Sequence, residues 1–177
     1  DPGLRAAHAS APFVVTWDDH EVDNDYAGDR DENDTPPEVF LLRRAAAYQA
    51  YYEHMPLRRT SLPKGPDMQI YRAIRFGKLA EFFVMDTRQY RSDQPCGDGN
   101  KPPCEASYDP KQTLLGAAQE KWLFDGLAAS PGTWNVLAQQ VLMASHDLVP
   151  GAPKGYSTDQ WDAYRASRQR VLSGIHS

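Results

Sequence analysis

The stretch Phe13-Val14-Val15-Thr16-Trp17-Asp18-Asp19-His20-Glu21 decides how this chain is read. Its first five residues are apolar, β-branched or aromatic, the composition of a strand buried on both faces, and the next four are all polar. Such a break delivers two carboxylates, an imidazole and a third carboxylate to the end of a strand, where open α/β proteins hold their ligands. Asp18 and Asp19 offer hard oxygen ligands to a divalent or trivalent cation, and His20 offers a further ligand or a proton donor. A solvated acidic turn has the same composition, so the motif alone leaves both readings open.

The flanking sequence alternates helical and strand patterns. Residues 2–10 predict a short helix, with Asp1 placed to cap it and Pro2 at the first helical position. Residues 24–34 are acidic and aperiodic, a loop in which Asn24 and Tyr26 suit either a ligand contact or a turn. Thr35-Pro36-Pro37-Glu38 has capping-box spacing, and the helix it predicts carries Phe40, Leu41, Tyr48, Tyr51, Tyr52 and Met55 as a core-facing stripe before Pro56 ends it. Residues 68–76 and 79–85 read as a hairpin closed by the two-residue loop Gly77-Lys78. The second strand runs into Asp86-Thr87-Arg88-Gln89-Tyr90-Arg91, where Arg88 and Arg91 suit a bidentate grip on phosphate or a buried ion network around Asp86.

Residues 113–129 predict a helix with Leu115, Ala118, Trp122 and Leu127 near one face, stopped by Ser130-Pro131-Gly132. Residues 134–143 predict a buried strand that leads into Gln139, Gln140, Ser145, His146 and Asp147. Ser157 or Thr158 is placed to cap a last helix that buries Trp161, Tyr164, Val171 and Leu172. Helices interleaved with buried strands predict a layered α/β fold in one domain.

With 41% hydrophobic residues, 177 residues suffice for one core. A net charge of -5 disfavours nucleic-acid binding through a basic surface. No apolar run approaches the roughly 18 residues of a membrane span. Cys96 and Cys104 bracket a Gly/Pro-rich loop that a disulfide would staple; zinc fits less well, since two sulfurs without a nearby histidine leave a four-ligand site incomplete. A disulfide points to an oxidising compartment. The chain opens on Asp1 without a signal segment, as expected of a mature or excised product.

The run Trp17-Asp18-Asp19-His20-Glu21-Val22-Asp23-Asn24-Asp25-Tyr26-Ala27 resembles the W-D-D-H-E-x-x-N-x-x-A signature of the PhoD-like alkaline phosphatase D family. The resemblance continues through Arg44-Ala45-Ala46-Ala47-Tyr48-Gln49-Ala50-Tyr51-Tyr52-Glu53-His54-Met55-Pro56, Asp86-Thr87-Arg88-Gln89-Tyr90-Arg91 and Trp134-Asn135-Val136-Leu137-Ala138-Gln139-Gln140-Val141, in family order over nearly the whole chain. It implies a layered α/β metallophosphatase domain of the calcineurin-like phosphoesterase type. Residues 1–177 are expected to be its central part, because the family's G-D-x-x-Y and G-D-x-H metal motifs are missing, and alone they are expected to be inactive.

The same resemblance implies Fe(III) and Ca(II) as cofactors, phosphate monoesters or diesters as substrates, and export to the periplasm, cell wall or medium. The remainder of the parent chain is then the expected partner. Residue by residue, it implies Asp19, with Asp18 beside it, as metal ligand, and His20 against the phosphate or the leaving oxygen. Glu21 is expected to anchor the loop. Asn24, Arg88 and Gln140 are the candidate substrate contacts, although Gln139 and Gln140 stand where the broader architecture delivers a metal-binding histidine, and neutral amides are weak ligands. A phospholipase D-like phosphodiesterase and a non-catalytic secreted calcium-binding module are the alternatives.

Overall fold

The computed structural model describes residues 1–175, a mixed α/β arrangement with two small sheets and four α-helices. The main sheet has the order β1-β2-β4, from Arg72–Phe76, Ala80–Val84 and Trp134–Ala138. β3 (Asn100–Lys101) and β5 (Tyr156–Ser157) make a second, two-stranded sheet. β1 runs antiparallel to β2 with Phe76 opposite Ala80, so the hairpin loop has three residues, Gly77 to Leu79, and not the two expected. Gly77 opens it at φ 58, a conformation that costs glycine little.

β4 pairs parallel with β2, with Val84 opposite Ala138. Parallel pairing brings both carboxyl ends to one edge of the sheet, so Asp86-Thr87-Arg88 and Gln139-Gln140 leave it side by side. β4 is shorter and less buried than residues 134–143 predicted: Trp134 is 66% exposed and Val136 is 37% exposed. Among the described residues it has one strand neighbour only, so apolar sequence there did not translate into burial.

Residues 13–17 form no strand. Side chains, rather than a ladder, tie them to the sheet edge: Thr16 Oγ1 donates to the Met85 carbonyl at 3.0 Å and Arg72 Nη2 to the Val15 carbonyl at 2.8 Å. Phe13 and Val14 are exposed, and Trp17 alone of the five is buried. The apolar run was half an interior signal, since covering one end of it is enough to keep it extended along the sheet.

Helix α1 spans Pro2–Ser10 with the Asp1 side chain accepting from Leu4 N–H at 2.9 Å, as expected. α2 spans Pro37–His54 with Pro36 at the N-cap, one residue later than the capping box predicted. Each residue before a proline is pushed out of the helical region, so Thr35 and Pro36 stay extended and the box cannot close. Its inner face is Phe40, Arg44, Tyr48 and Tyr51. α3 spans Ala117–Ala129, buries Gln119, Glu120 and Leu123, and leaves Ala118 exposed. α4 spans Arg165–Ile175, well after the predicted start at Ser157 or Thr158. Thr158 is engaged elsewhere: its N–H and hydroxyl both donate to the Gly99 carbonyl beside the small sheet. Val171 is buried and Leu172 is not, while Trp161 and Tyr164 are buried ahead of the helix.

Two apolar clusters result. One gathers Phe83, Met85, Leu115, Leu123, Trp161 and Val171 around β2, and the other gathers Trp17, Tyr26, Phe40, Tyr48 and Ile70 against α2. Trp17 stacks on Tyr48 with ring centroids 4.1 Å apart, an arrangement worth roughly 1 kcal/mol beyond its buried area. The tyrosine stripe of α2 is therefore core. Cys96 and Cys104 are joined in a disulfide, as expected. Among the described residues no helix is long and apolar enough to cross a membrane.

Candidate active site

The acidic loop folds by bonding to itself. Glu21 accepts from Asp18 N–H at 2.7 Å, and the Asp19 carbonyl accepts from the N–H groups of Val22 and Asp23. Asp25, at φ 50, turns its N–H onto the Asp19 carboxylate at 2.9 Å. Val22 and Tyr26 drop into the apolar cluster beneath, so the loop is fixed from below while His20, with its side chain 79% accessible, stays in solvent. His20 Nε2 lies 3.0 Å from Asn24 Oδ1 and 3.7 Å from an Asp19 oxygen.

Beside this loop lies Arg88, wholly buried. Its Nε donates to Asp18 at 2.6 Å, and Nη1 and Nη2 both donate to Asp159 at 2.6 Å. Arg91 adds a second guanidinium 2.9 Å from Asp159. Between the two readings open for Arg88, the geometry is that of the buried ion network, with Asp18 and Asp159 as its partners in place of Asp86. Asp86 is instead a fully buried acceptor for neutral donors, among them Trp17 Nε1 and the Arg88 and Gln89 N–H groups.

Gln140 sits at the sheet edge, where Thr87 donates to its oxygen at 3.0 Å and its amide nitrogen donates to Thr16 and to the Met85 carbonyl. These bonds hold residues 13–17 against the sheet. Gln139 accepts from Trp161 Nε1. The backbone N–H of His146 donates to the Asp162 carboxylate, just ahead of α4.

Asp19, Asp25 and Asp159 each offer an oxygen, and these oxygens lie within 4.8 Å of one another. The four carboxylates of Asp18, Asp19, Asp25 and Asp159 face two guanidiniums, so negative charge is in excess. The titration behaviour reflects this. Burial, then the charges of Asp159 and Asp19, push the Asp25 carboxyl up to about 6. Burial acts the same way on Asp19, but the Asp25 N–H and the Arg88 charge outweigh it and hold that carboxyl below its ordinary value. Asp19 therefore stays ionised where Asp25 takes up a proton.

Sequence reasoning had Asp18, Asp19 and His20 in one place and missed Asp25 and Asp159. Asp25 lies within the signature and was passed over. Asp159 reads locally as a helix-start acid; the signal that pointed to it was indirect, since two arginines after a buried strand need carboxylates from somewhere.

An α/β chain with a carboxylate cluster, an adjacent exposed imidazole and strand ends converging on one edge matches the family model of PhoD-like phosphatases over residues 1–177, and the chain belongs to that family. It is 58% identical over 177 residues to alkaline phosphatase D of Bacillus subtilis (strain 168), covering 100% of this chain and 30% of that protein. A solved structure titled "Structure of PhoD" superposes with a TM-score of 0.95 at 57% identity, over 99% of this chain and 34% of that one. The chain thus spans about a third of the length of these relatives.

Proposed function

We propose that these residues form the central part of a calcineurin-like metallophosphatase domain in an exported enzyme that hydrolyses phosphate monoesters or diesters. The observation that carries this reading is the all-oxygen cluster of Asp19, Asp25 and Asp159 beside His20, in a chain 58% identical to an alkaline phosphatase D. Burial first, and then the charges of Asp159 and Asp19, raise Asp25; a bound cation would relieve that charge, and carboxylate oxygens suit the hard ions Ca(II) and Fe(III). Asp19 and Asp25 are the best placed to hold such ions, because Asp159 already faces two arginines. When bound, the ions would neutralise phosphoryl charge and supply hydroxide at neutral pH.

The chain's own groups do the rest. Asn24 holds His20 through Nε2, and Nδ1 has no hydrogen-bond partner among the described residues, so an imidazolium here has Nδ1–H to give to the leaving oxygen. Arg88 fixes the spacing of Asp18 and Asp159 and, from 3.6 Å, keeps Asp19 ionised. Gln140 fixes the approach of residues 13–17. Asn24, Arg88 and Gln140 thereby shape the substrate site from behind it.

The test uses the natural full-length protein. Asp19→Asn is expected to lose bound metal, measured by elemental analysis after dialysis, together with activity. His20→Ala is expected to keep its metal and lose rate by roughly 100-fold to 10,000-fold. Full metal occupancy in Asp19→Asn would remove Asp19 from the ligand set; calcium alone, loosely held and without turnover, would favour the binding-module reading.

A further inference from the structure

The loop beyond Asn24 returns on itself. Ala27 and Arg30 exchange backbone hydrogen bonds at 2.9 and 3.0 Å around Gly28, whose φ of 60 permits the tight turn and whose N–H is anchored on the Arg88 carbonyl. The return brings Glu32 back to Asn24, and Asn24 Nδ2 donates to the Glu32 carboxylate at 2.7 Å. From below, Asn24 N–H donates to Asp23, which pairs with Arg43 at 2.9 Å.

A side-chain amide has two different ends, a donor and an acceptor. An ionised carboxylate accepts only, so the Glu32 side of Asn24 must be the NH2 end, and the carbonyl end must face His20. His20 Nε2 is then obliged to carry a hydrogen. If Asn24 were free to flip, its NH2 would face the ring and favour the opposite protonation pattern, and the remaining neighbour of Nε2, an Asp19 oxygen at 3.7 Å, is beyond hydrogen-bond distance.

We infer that Glu32 is a positioning residue, which acts through Asn24 to hold the His20 ring in one orientation with Nε2 protonated. The inference rests on His20 being the proton donor of the proposed phosphoester hydrolysis, and it assigns to the acidic loop beyond the signature a part in that step. Glu32 is exposed and, among the described residues, its side chain makes the Asn24 hydrogen bond alone, so its replacement is expected to leave the fold intact. An ordinary loop staple would leave the ring where it is.

The variants are Glu32→Ala and Glu32→Gln in the full-length protein. Crystal structures of both are expected to show the Asn24 amide turned and His20 in more than one rotamer in Glu32→Ala, with the single orientation kept in Glu32→Gln, whose side-chain oxygen still accepts from Asn24. With bis(4-nitrophenyl) phosphate as the probe, kcat is expected to fall roughly 10-fold in Glu32→Ala at unchanged KM, and to recover in Glu32→Gln. An unmoved His20 in Glu32→Ala overturns the inference whatever the rate. A displaced His20 with an unchanged kcat upholds the positioning and removes His20 from the chemistry.

Discussion

Asp86 and Asp18–Asp19 follow apolar runs in similar ways, and Trp17 connects the two turns through its indole N–H. Asp86 is fully buried, yet Trp17 Nε1, two backbone N–H groups and the Gln89 amide fill its oxygens at 2.9 to 3.1 Å. Burial pushes its carboxyl up, and these four donors pull against that rise. Asp19 has one backbone donor, a guanidinium at 3.6 Å, and two acidic neighbours. A carboxylate accepts about four hydrogen bonds, so Asp86 is filled and Asp19 is not. A filled acid organises its own turn; an underfilled acid among other acids is what a ligand sphere requires.

The largest test of this contrast is Arg88→Ala, because Arg88 is the one side chain that serves the acidic loop while sitting in the Asp86 turn. Removing a buried guanidinium leaves Asp18 without its ion pair and Asp159 with Arg91 alone, and denaturant unfolding is expected to show a loss of about 3 kcal/mol. Near-native stability with a raised KM would instead make Arg88 a substrate contact. Asp86→Asn keeps one acceptor but sets an NH2 against the Gln89 amide; a loss of about 2 kcal/mol is expected, with metal content unchanged. Metal loss without destabilisation would erase the distinction between the two turns.

The smallest effect concerns pH. Asp25 binds its proton more tightly folded (about 6) than its ordinary value of 3.8, so this group favours the metal-free fold at low pH and costs stability as pH rises from about 4 through 6. A two-unit shift corresponds to about 3 kcal/mol, but the group is only partly buried, and screening leaves about 1 kcal/mol. Asp25→Asn is expected to flatten that part of the stability profile and to raise stability at pH 8 by that amount, as read from thermal unfolding in chelator. An unchanged profile would mean that Asp25 binds its proton no more tightly in the folded chain than in the unfolded one.

Much of this was legible in the sequence. The helices were found because apolar spacing and prolines act locally, and the parallel edge was foreshadowed by two strands that each end in polar residues. Residues 13–17 were overread because an apolar run reports affinity for an interior and not the presence of a hydrogen-bonding neighbour. Asp159 was invisible for a different reason: its role depends on arginines about seventy positions away, and no local pattern encodes that meeting. Thr158 failed as a helix start because its N–H and hydroxyl are both spent on the Gly99 carbonyl, and Ser157 because it pairs with Asn100 in the small sheet.

Arg88 reaches partners 70 residues back and 71 residues ahead along the chain. Closing two loops of that length costs entropy that the local helices and the β1–β2 hairpin do not face, so the contact belongs to the late stages of folding. A ribosome must also have released the segment around Asp159 before the guanidinium can be neutralised from both sides. The acidic loop consequently spends the early life of each molecule without its arginine clamp, and in Arg88→Ala the stability loss is expected to appear as faster unfolding, with the refolding rate almost unchanged.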